Sequence, residues 1–327
     1  MAVITEINGK STTLLTNQVD EVNGTERVNI DEINGQVSPV PVTNFITDKL
    51  FLYYDFDDQQ LTDISASNQV YDQYSAETGV LAQDGHDAIF KSGTSATAAF
   101  IVNQTINGAT VKCTYQDGVN DRIYKSAYGT PDAGTGGNHG VNTYGIGPQT
   151  NSSGTTNSNY FYNDGFSIEV WFKNTGDSAD RPNLWSRFGN SSVRLRFQSY
   201  LNDLDFTQVY AYNGSSVYLS NFYPINSSKF PANTWHQQVF TLQPTATTNT
   251  FTMRLYKNGQ LIGTETNKLI NPTSGTNDKL FLGCQSSTNT SVGIYTGYIG
   301  LVRCYQKKIS NSEVLNNYIF NRSRFGI

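Results

Sequence analysis

The stretch that decides the fold is YTGYIGLVRCYQKKISNSEVLNNYIF, which covers residues 295–320. Its first half is rich in aromatic and β-branched residues and carries Gly297 and Gly300, a composition that predicts a strand. Its second half begins a helix, because Ser310 is followed three residues later by Glu313 in the pattern of a capping box. Apolar residues then recur at helical spacing on one face, namely Val314, Leu315, Tyr318 and Ile319. The stretch therefore predicts a strand followed by one short, capped helix.

Strand signals dominate the rest of the chain. The 20 Tyr and 18 Phe residues outnumber the 2 Met residues, a balance that favours strands over helices. Alternating or β-rich runs predict strands at residues 50–56, 88–90, 98–101, 109–115, 166–172, 193–197, 209–212, 235–242, 251–256, 259–264, 279–284 and 293–305. The pair Asn258-Gly259 predicts a hairpin turn. Many strands separated by turn residues predict an all-β fold with two stacked antiparallel sheets.

Residues 1–37 contain a threefold repeat, which reads TEINGK, DEVNGT and DEINGQ. Each copy has an acidic residue, an aliphatic residue and Asn-Gly, the preferred pair for a type I′ hairpin turn. The repeated residues are Glu6, Ile7, Asn8, Gly9, Glu21, Val22, Asn23, Gly24, Glu32, Ile33, Asn34 and Gly35. So short a segment buries too little apolar surface to be stable alone. It is either a flexible linker or, in the interpretation we favour, an arm that anchors the protein by adding strands to a partner.

The domain boundary is predicted at residues 38–47, where Pro39 and Pro41 indicate a semi-extended linker. The main domain then spans residues 48–327. Within it, residues 125–160 are dominated by Gly, Ser, Thr and Asn. A run of this length without secondary structure is unusual inside a domain, so we predict an irregular insertion at the rim.

Five landmarks of the main domain resemble laminin-G-like (concanavalin A-like) jelly rolls. They are FSIEVWFK at 166–173, the pair Trp235-His236, LYKNGQLI at 255–262, LFLG at 280–283, and the strand and helix at 297–318. The run LFLYYDFDD at 50–58 resembles the first strand of the same family. The resemblance implies a two-sheet antiparallel jelly-roll sandwich whose first and last strands pair, so that Tyr53 and Val302 lie side by side. Where the family often has an acidic pair, this chain has Gly300 and Leu301, so any role of that pair does not carry over.

The same superfamily includes glycan hydrolases, and retaining hydrolysis needs two carboxylates about 5 Å apart. One strand often supplies both, but Glu169 stands alone in its strand, and we interpret it as a residue of the solvent-facing side. His236, at a strand start, is predicted to be structural. The sequence shows no metal cluster, nucleophile constellation or phosphate-binding glycine loop. It therefore predicts no catalytic residue.

Two ligand sites remain open. The resemblance implies that calcium can bind at the rim of the sheets, with Asp55, Asp57, Asp58 and Asp63 as candidates by position, although turn-rich β proteins place Asp in loops anyway. Glycan contact would use aromatic and amide side chains near the loop ends. The candidates are Tyr210, Tyr212, Asn213, Tyr218, Asn221 and Tyr223. Such aromatics also fill cores and subunit interfaces. No other cofactor is predicted.

Charge and composition argue against several partners. The net charge of −5 carries no basic patch, which argues against nucleic acid, and no apolar run approaches the ~18 residues that a membrane span needs. The first residues, MAVITEINGK, lack the features of a signal peptide. In that context we expect Cys113, Cys284 and Cys304 to be buried thiols, with a Cys284–Cys304 bridge as the alternative.

The short Asn-Gly repeats resemble those at the front of phage virion proteins. We therefore expect a non-enzymatic virion protein, such as a capsid decoration, head fibre or tail protein, assembled in the host cytoplasm. Its arm would dock on capsid or tail proteins, and its jelly roll would stabilise the particle or contact host-surface glycans. The resemblance also implies a homo-oligomer, often a trimer. The alternatives are a glycan-active enzyme and a secreted carbohydrate-binding adhesion module.

Overall fold

The structure is a computed structural model. It describes residues 6–7, 10–11, 21–22, 25–26, 44–57, 69–70, 88–92, 101–117, 121–126, 164–175, 183–188, 196–202, 206–212, 218–222, 230–247, 250–269, 279–283 and 295–327. The described strands are β1 (Glu6–Ile7), β2 (Lys10–Ser11), β3 (Glu21–Val22), β4 (Thr25–Glu26), β5 (Leu50–Asp55), β6 (Gln69–Val70), β7 (Ala88–Ser92), β8 (Ile101–Ile106), β9 (Ala109–Asp117), β10 (Asp121–Ser126), β11 (Phe166–Asn174), β12 (Asn183–Phe188), β13 (Arg196–Asn202), β14 (Phe206–Tyr212), β15 (Tyr218–Phe222), β16 (Trp235–Pro244), β17 (Thr250–Lys257), β18 (Gln260–Leu269), β19 (Lys279–Leu282) and β20 (Thr296–Tyr305). Helix α1 (Asn311–Arg322) follows β20.

Two antiparallel sheets of eight strands each contain most of the described strands. Sheet A has the order β15-β14-β13-β12-β19-β10-β7-β6, and sheet B has the order β18-β17-β16-β11-β20-β9-β8, with β5 also paired to β20. The other four described strands form the hairpins β1–β2 and β3–β4. The all-β, two-sheet architecture predicted from the sequence is confirmed in this part of the chain.

Strand β20, from the stretch quoted first, lies inside sheet B. One of its edges pairs with β11, and its other edge is shared, because β9 pairs with its first half and β5 with its second half. Tyr53 lies opposite Arg303, and Tyr54 lies opposite Val302. The predicted pairing between the first and last strands of the main domain is therefore confirmed.

Strand β11 is buried on both of its faces. Its alternate apolar residues enter the core between the sheets, as predicted, together with residues of sheet A. This core includes Phe166, Ile168, Val170 and Phe172 from β11 and Leu184, Trp185 and Leu282 from sheet A. On the opposite face, Trp171 packs in a second cluster with Leu301 and Phe325. Sheet B is therefore a middle layer at this strand, with sheet A on one side and the end of the chain on the other.

Asn-Gly pairs turn the chain at several hairpins. Asn258 and Gly259, with φ angles of 50° and 82°, join β17 to β18 as predicted. Asn107 and Gly108, with φ angles of 48° and 82°, join β8 to β9, a hairpin that the sequence analysis did not assign. In the arm, β1 pairs with β2 and β3 with β4, whereas the Asn-Gly pairs predicted to turn the chain between them lie outside the described residues. The third repeat, residues 32–35, lies outside the described residues.

Helix α1 begins with the predicted capping box. The Ser310 hydroxyl accepts a hydrogen bond from the Glu313 amide at 3.2 Å, and the Glu313 carboxylate accepts from the Ser310 amide at 2.7 Å. The predicted apolar face is only half correct. The buried residues of the helix are Val314, Leu315, Asn317 and Asn321, whereas Tyr318 and Ile319 are partly buried. Two asparagines take buried positions because they bind polar groups inside sheet B.

Removing the cap should weaken the fold measurably. We expect Ser310→Ala to lower the free energy of unfolding by about 1 kcal/mol, because the first turn loses an acceptor for its amides. Urea unfolding followed by tryptophan fluorescence measures this loss. Ser310→Thr keeps the hydroxyl and should stay close to wild type. An alanine variant as stable as the threonine variant would contradict the prediction.

Candidate functional site

A cleft opens at one end of sheet B, where four strand ends meet. Strand β11 runs antiparallel to β16 and β20, so its start lies beside their ends, and the start of β5 lies beside the end of β20. The cleft has a volume of about 420 Å³, within the usual size range of ligand pockets. Its lining residues are Asp48, Lys49, Asp164, Gln243, Pro244, Lys307 and Lys308. The sheet thus brings together charged and amide side chains from four separate segments.

Backbone contacts fix the walls of this cleft. The Lys308 amide donates to the Asp164 carbonyl at 2.7 Å. Gly165, between Asp164 and β11, has a φ angle of 87°, and a Cβ atom built on it would lie 2.1 Å from the Leu242 carbonyl oxygen. A side chain does not fit at this position, and its backbone conformation favours glycine. The lining side chains therefore extend from a fixed frame.

The Lys307 ammonium is already paired with two carboxylates. Its ammonium donates to Asp48 at 2.8 Å and to Glu313 at 2.6 Å. Burial alone would lower the pKa of Lys307, but the hydrogen bonds to Asp48 and Glu313 raise it above its ordinary value. Lys307 is therefore charged, and its charge is compensated inside the protein.

Lys308 has a different environment. Burial, followed by the positive charge of Arg254, lowers the pKa of Lys308, and Glu313 opposes this only in part. Arg254 itself donates to the side-chain oxygen of Gln243 at 2.9 Å. Within the part of the chain that the structure describes, no ion pair joins Lys308 to a carboxylate. Lys308 is therefore a cleft lysine whose charge is compensated only in part by Glu313 and by no direct ion pair among the described residues.

Glu169 lies inside the protein, so the interpretation of this residue as solvent-facing is wrong. Its side chain is 0% exposed, and its oxygens accept from the Trp171 indole at 2.8 Å, the Gln237 amide at 2.9 Å and the Asn317 amide at 2.8 Å. Arg303, opposite it on β20, forms an ion pair with it at 3.4 Å. Burial alone would lower the pKa of Arg303, but Glu169 raises it above its ordinary value. The alternation was misleading because the second face of β11 is also covered.

Arg303 connects this buried cluster to the segment before β5. The Arg303 guanidinium lies over the Phe45 ring, 3.9 Å from its centroid. The Ile46 amide donates to the side-chain oxygen of Asn317 at 2.9 Å. Residues 44–47, at the end of the predicted linker, therefore pack against helix α1 and sheet B.

Two of the four candidate calcium ligands lie at the end of β5. Both carboxylate oxygens of Asp55 accept from Arg324, at 2.6 and 2.5 Å, and Asp57 accepts from a backbone amide of β9 at 2.7 Å. Burial alone would raise the pKa of Asp55, but the contacts with Arg324 hold it below its ordinary value. Asp58 and Asp63 lie outside the described residues. Among the described residues, no group of three His, Cys, Asp or Glu side chains is placed to hold a metal ion.

The candidate glycan residues fall on two paired strands of sheet A. The register of β14 and β15 puts Tyr210 opposite Asn221 and Tyr212 opposite Tyr218. Asn213 and Tyr223 lie outside the described residues. Four of the six candidates therefore occupy neighbouring backbone positions, on a different sheet from the cleft.

His236 is a core residue, as the sequence predicts. Its Nε2 atom lies 3.0 Å from the Pro231 carbonyl, and its ring packs edge-on against Phe230 with the centroids 5.2 Å apart. Burial lowers the pKa of His236 to about 4. Cys113 and Cys304 are buried thiols, also as expected. Cys284 lies outside the described residues.

The burial of His236 predicts a pH dependence of stability. The pKa of His236 is about 4 in the folded protein against 6.5 ordinarily, so as pH falls the unfolded chain binds the proton first. We expect the free energy of unfolding to fall by up to about 1.4 kcal/mol per pH unit between those two values, and to be unaffected by His236 at higher pH. Thermal melts of wild type and His236→Gln across this window test the idea. Equal slopes in the two proteins would contradict it.

The cleft was not predicted from the sequence, because the residues that line it lie at strand ends and form no motif. One signal was available. Pairing the first strand with the last, and the last with the strand at 166–172, places residues near 48, 164 and 307 at one end of a sheet. The charges at that end are visible in the sequence once this register is assumed.

The described structure defines a class, the two-sheet antiparallel sandwich of lectin-like domains. Residues 148–315 match the family described as the Concanavalin A-like lectin/glucanases superfamily. This match covers 168 of the 327 residues, so the protein belongs to that superfamily. The resemblance of the main domain to concanavalin A-like jelly rolls is thereby confirmed. A search of curated proteins finds no match.

Similar solved structures are found at low sequence identity. Trypanosoma rangeli sialidase in complex with 2,3-difluorosialic acid is 11% identical with a TM-score of 0.51, over 88% of this chain and 36% of the sialidase. Domain 4 of AbnA, a GH43 extracellular arabinanase from Geobacillus stearothermophilus in complex with arabinotriose, is 15% identical with a TM-score of 0.48, over 83% of this chain and 98% of that one. The sialidase similarity shows the fold alone, and this chain spans only about a third of that enzyme. In the described part of the chain, no helix is long and apolar enough to cross a membrane.

Proposed function

We propose that the protein is a non-enzymatic structural component of a virion, anchored to the particle by its N-terminal arm. Its lectin-like domain contacts host-surface glycans or stabilises the particle. The observation that carries the glycan-contact part of this proposal is the cleft at the strand ends of sheet B. Its ammonium, carboxylate and amide groups can form hydrogen bonds with sugar hydroxyls, and its volume is within the range of ligand pockets.

The environment of Glu169 supports a role without catalysis. Retaining hydrolysis of a glycan needs a pair of carboxylates that reach the sugar, about 5 Å apart. Glu169 is fully buried, and its oxygens are held by Arg303 and by three neutral donors. This carboxylate is used to hold sheet B and helix α1 together, so a sugar has no access to it.

The hairpins of the arm support anchoring by strand addition. Among the described residues, β1 pairs only with β2 and β3 only with β4, so one edge of each strand has no described partner. Open edges of this kind accept a further strand from a partner through backbone hydrogen bonds. Capsid or tail proteins, or further copies of this chain in a homo-oligomer such as a trimer, are the partners we propose.

Deleting residues 1–37 tests the anchoring role. Mass spectrometry of purified particles should detect the full-length protein and not the truncated one, while circular dichroism shows that the truncated domain still folds. A full-length variant with Gly9→Val, Gly24→Val and Gly35→Val is the matched control, because it keeps the length and removes the residues that favour the type I′ turns. Incorporation of the truncated protein at the wild-type level would overturn the anchoring role.

A glycan array tests the binding role and separates it from catalysis. The full-length protein should be retained on a subset of glycans and leave them intact. Hydrolysis of any glycan by the purified full-length protein would overturn the non-enzymatic proposal and favour a glycan-active enzyme. If no glycan on the array retains the protein, the glycan-contact role is overturned. The deletion of residues 1–37 then tests the remaining role, stabilisation of the particle.

A further inference from the structure

We propose that the cleft of sheet B binds a sugar that carries one carboxylate, such as a uronic acid, and that Lys308 contacts this carboxylate. The inference rests on the proposed glycan-binding function and specifies its ligand. It concerns the residues at the ends of β5, β11, β16 and β20, which are separate from the tyrosines of β14 and β15 discussed above.

The charge of the cleft selects an anion. Lys307 is compensated by Asp48 and Glu313, whereas Lys308 is partly buried, lies in the positive field of Arg254 and has no ion-pair partner among the described residues. A carboxylate placed beside Lys308 removes the unfavourable interaction between the two cations. Hydrogen bonds between an ammonium and a carboxylate are also among the strong ones in proteins.

The same lining limits the ligand to a single negative charge. With Glu313, which binds Lys307, and Arg254, whose charge acts on Lys308, four cations stand against three carboxylates, so one further negative charge balances the cleft. A polyanion such as a nucleic acid or a heavily sulfated chain would place additional charge against Asp48 and Asp164, which is unfavourable at short range. A ligand with one carboxylate and otherwise neutral groups fits this balance.

The remaining lining residues suit a pyranose ring. Asp164 and Gln243 provide acceptors, and Gln243 also provides a donor, for sugar hydroxyls. The ring of Pro244 offers an apolar surface beside them. A volume of about 420 Å³ admits more than a small carboxylate such as acetate. These features together indicate a sugar acid in preference to a free inorganic or organic anion.

Matched sugars test this inference by isothermal titration calorimetry on the full-length protein. Methyl β-D-glucuronide and methyl β-D-glucoside differ only in the carboxylate, and the corresponding galacturonide and galactoside form a second pair. We expect at least one acidic sugar to bind about 10-fold more tightly than its neutral partner, since a hydrogen bond to a charged group is worth about that factor. Sodium acetate at equal ionic strength should bind more weakly than the preferred acidic sugar.

Variants at Lys308 locate the effect. Lys308→Gln should lose the preference for the acidic sugar and keep its affinity for the neutral one, while Lys308→Arg should retain the preference. Lys257→Gln is the matched control. Lys257 is also partly buried and has a lowered pKa, but it does not line the cleft. In the strand register it lies opposite Gln238, five residues before Gln243 on β16. Thermal melts show that each variant folds.

The outcomes distinguish this inference from the proposed function. Equal affinity for acidic and neutral sugars, a preference that survives Lys308→Gln, or acetate binding as tight as the glucuronide would overturn the assignment of the cleft. A protein that is retained on glycan arrays in those cases still supports the glycan-binding function. Failure to bind any glycan, on the array or by calorimetry, overturns both.

Discussion

Replacing Arg303 with Met should destabilise the protein by about 3–5 kcal/mol, because it leaves the Glu169 carboxylate buried without its cation. Both side chains of this pair are 0% exposed, and their ion pair measures 3.4 Å. Neither group has access to water that could replace the lost partner. Urea unfolding followed by tryptophan fluorescence gives the change in the free energy of unfolding, and thermal melts give the accompanying fall in Tm.

Two further variants decide whether the effect comes from the unpaired charge. Glu169→Gln combined with Arg303→Met removes both charges and keeps an oxygen that accepts from Trp171 and Gln237, so it should recover part of the loss. The recovery is incomplete because the glutamine NH2 group faces the Asn317 amide, which is also a donor. Lys307→Met breaks its pairs with Asp48 and Glu313, whose side chains are 72% and 25% exposed, and should cost no more than about 2 kcal/mol, since partly exposed pairs contribute up to about 1 kcal/mol each. If Arg303→Met costs no more than Lys307→Met, the buried pair has no special structural role.

The Glu169 cluster also holds the segment before β5 to the domain. Glu169 binds Asn317 of helix α1, and Asn317 binds the Ile46 amide in the segment that leads into β5. Phe45 covers the Arg303 guanidinium on the same side. The end of the predicted linker is therefore held by the same buried polar groups that join sheet B to helix α1.

Local signals predicted the parts of the fold that depend on short-range chemistry. The capping box at Ser310, the Asn258-Gly259 turn and the alternation from Phe166 to Phe172 need only neighbouring residues, and all three are observed. The pairing of Tyr53 with Arg303 needed the family resemblance, because nothing local relates strands about 250 residues apart.

Burial of the second face of sheet B could not be predicted in the same way. Alternation shows which side of β11 is apolar, but Glu169, on the other side, reads as polar and exposed unless its partners are known. Asn317 is 148 positions away in the chain and binds Glu169 directly. In helix α1, the same burial of polar groups made the expected apolar face only half correct.

Irregular strands and strand ends account for the other differences between the strands predicted from the sequence and those observed. Of the strand expected at residues 193–197, residues 193–195 lie outside the described residues, and the described strand is Arg196–Asn202. The strands Asp121–Ser126, Asn183–Phe188 and Tyr218–Phe222 were not predicted. They mix polar and apolar residues without clean alternation, and pairing with neighbours in sheet A decides their extent. The cleft residues were missed for a related reason, since strand ends acquire their neighbours only through the sheet.

Phe325→Ala should have the second large effect, a loss of about 3–5 kcal/mol in the free energy of unfolding. Phe325 is 1% exposed, and its ring centroid lies 4.6 Å from that of Trp171 and 4.7 Å from that of Trp235. Gly300 makes room for it, because a Cβ atom there would lie 2.4 Å from the Phe325 ring.

Two comparisons by urea unfolding test this packing. Ser323→Ala changes an exposed residue in the same segment and should shift the free energy of unfolding by no more than about 0.5 kcal/mol. Gly300→Ala adds a methyl group at the same contact and should destabilise the protein while Phe325 is present. It should cost less in the Phe325→Ala background, where the Trp235 ring, 3.2 Å from the added Cβ atom, is the remaining near neighbour. Additive losses in the double variant would mean that the two residues do not share one contact. A coupled loss would mean that the segment after helix α1 is part of the core that covers sheet B.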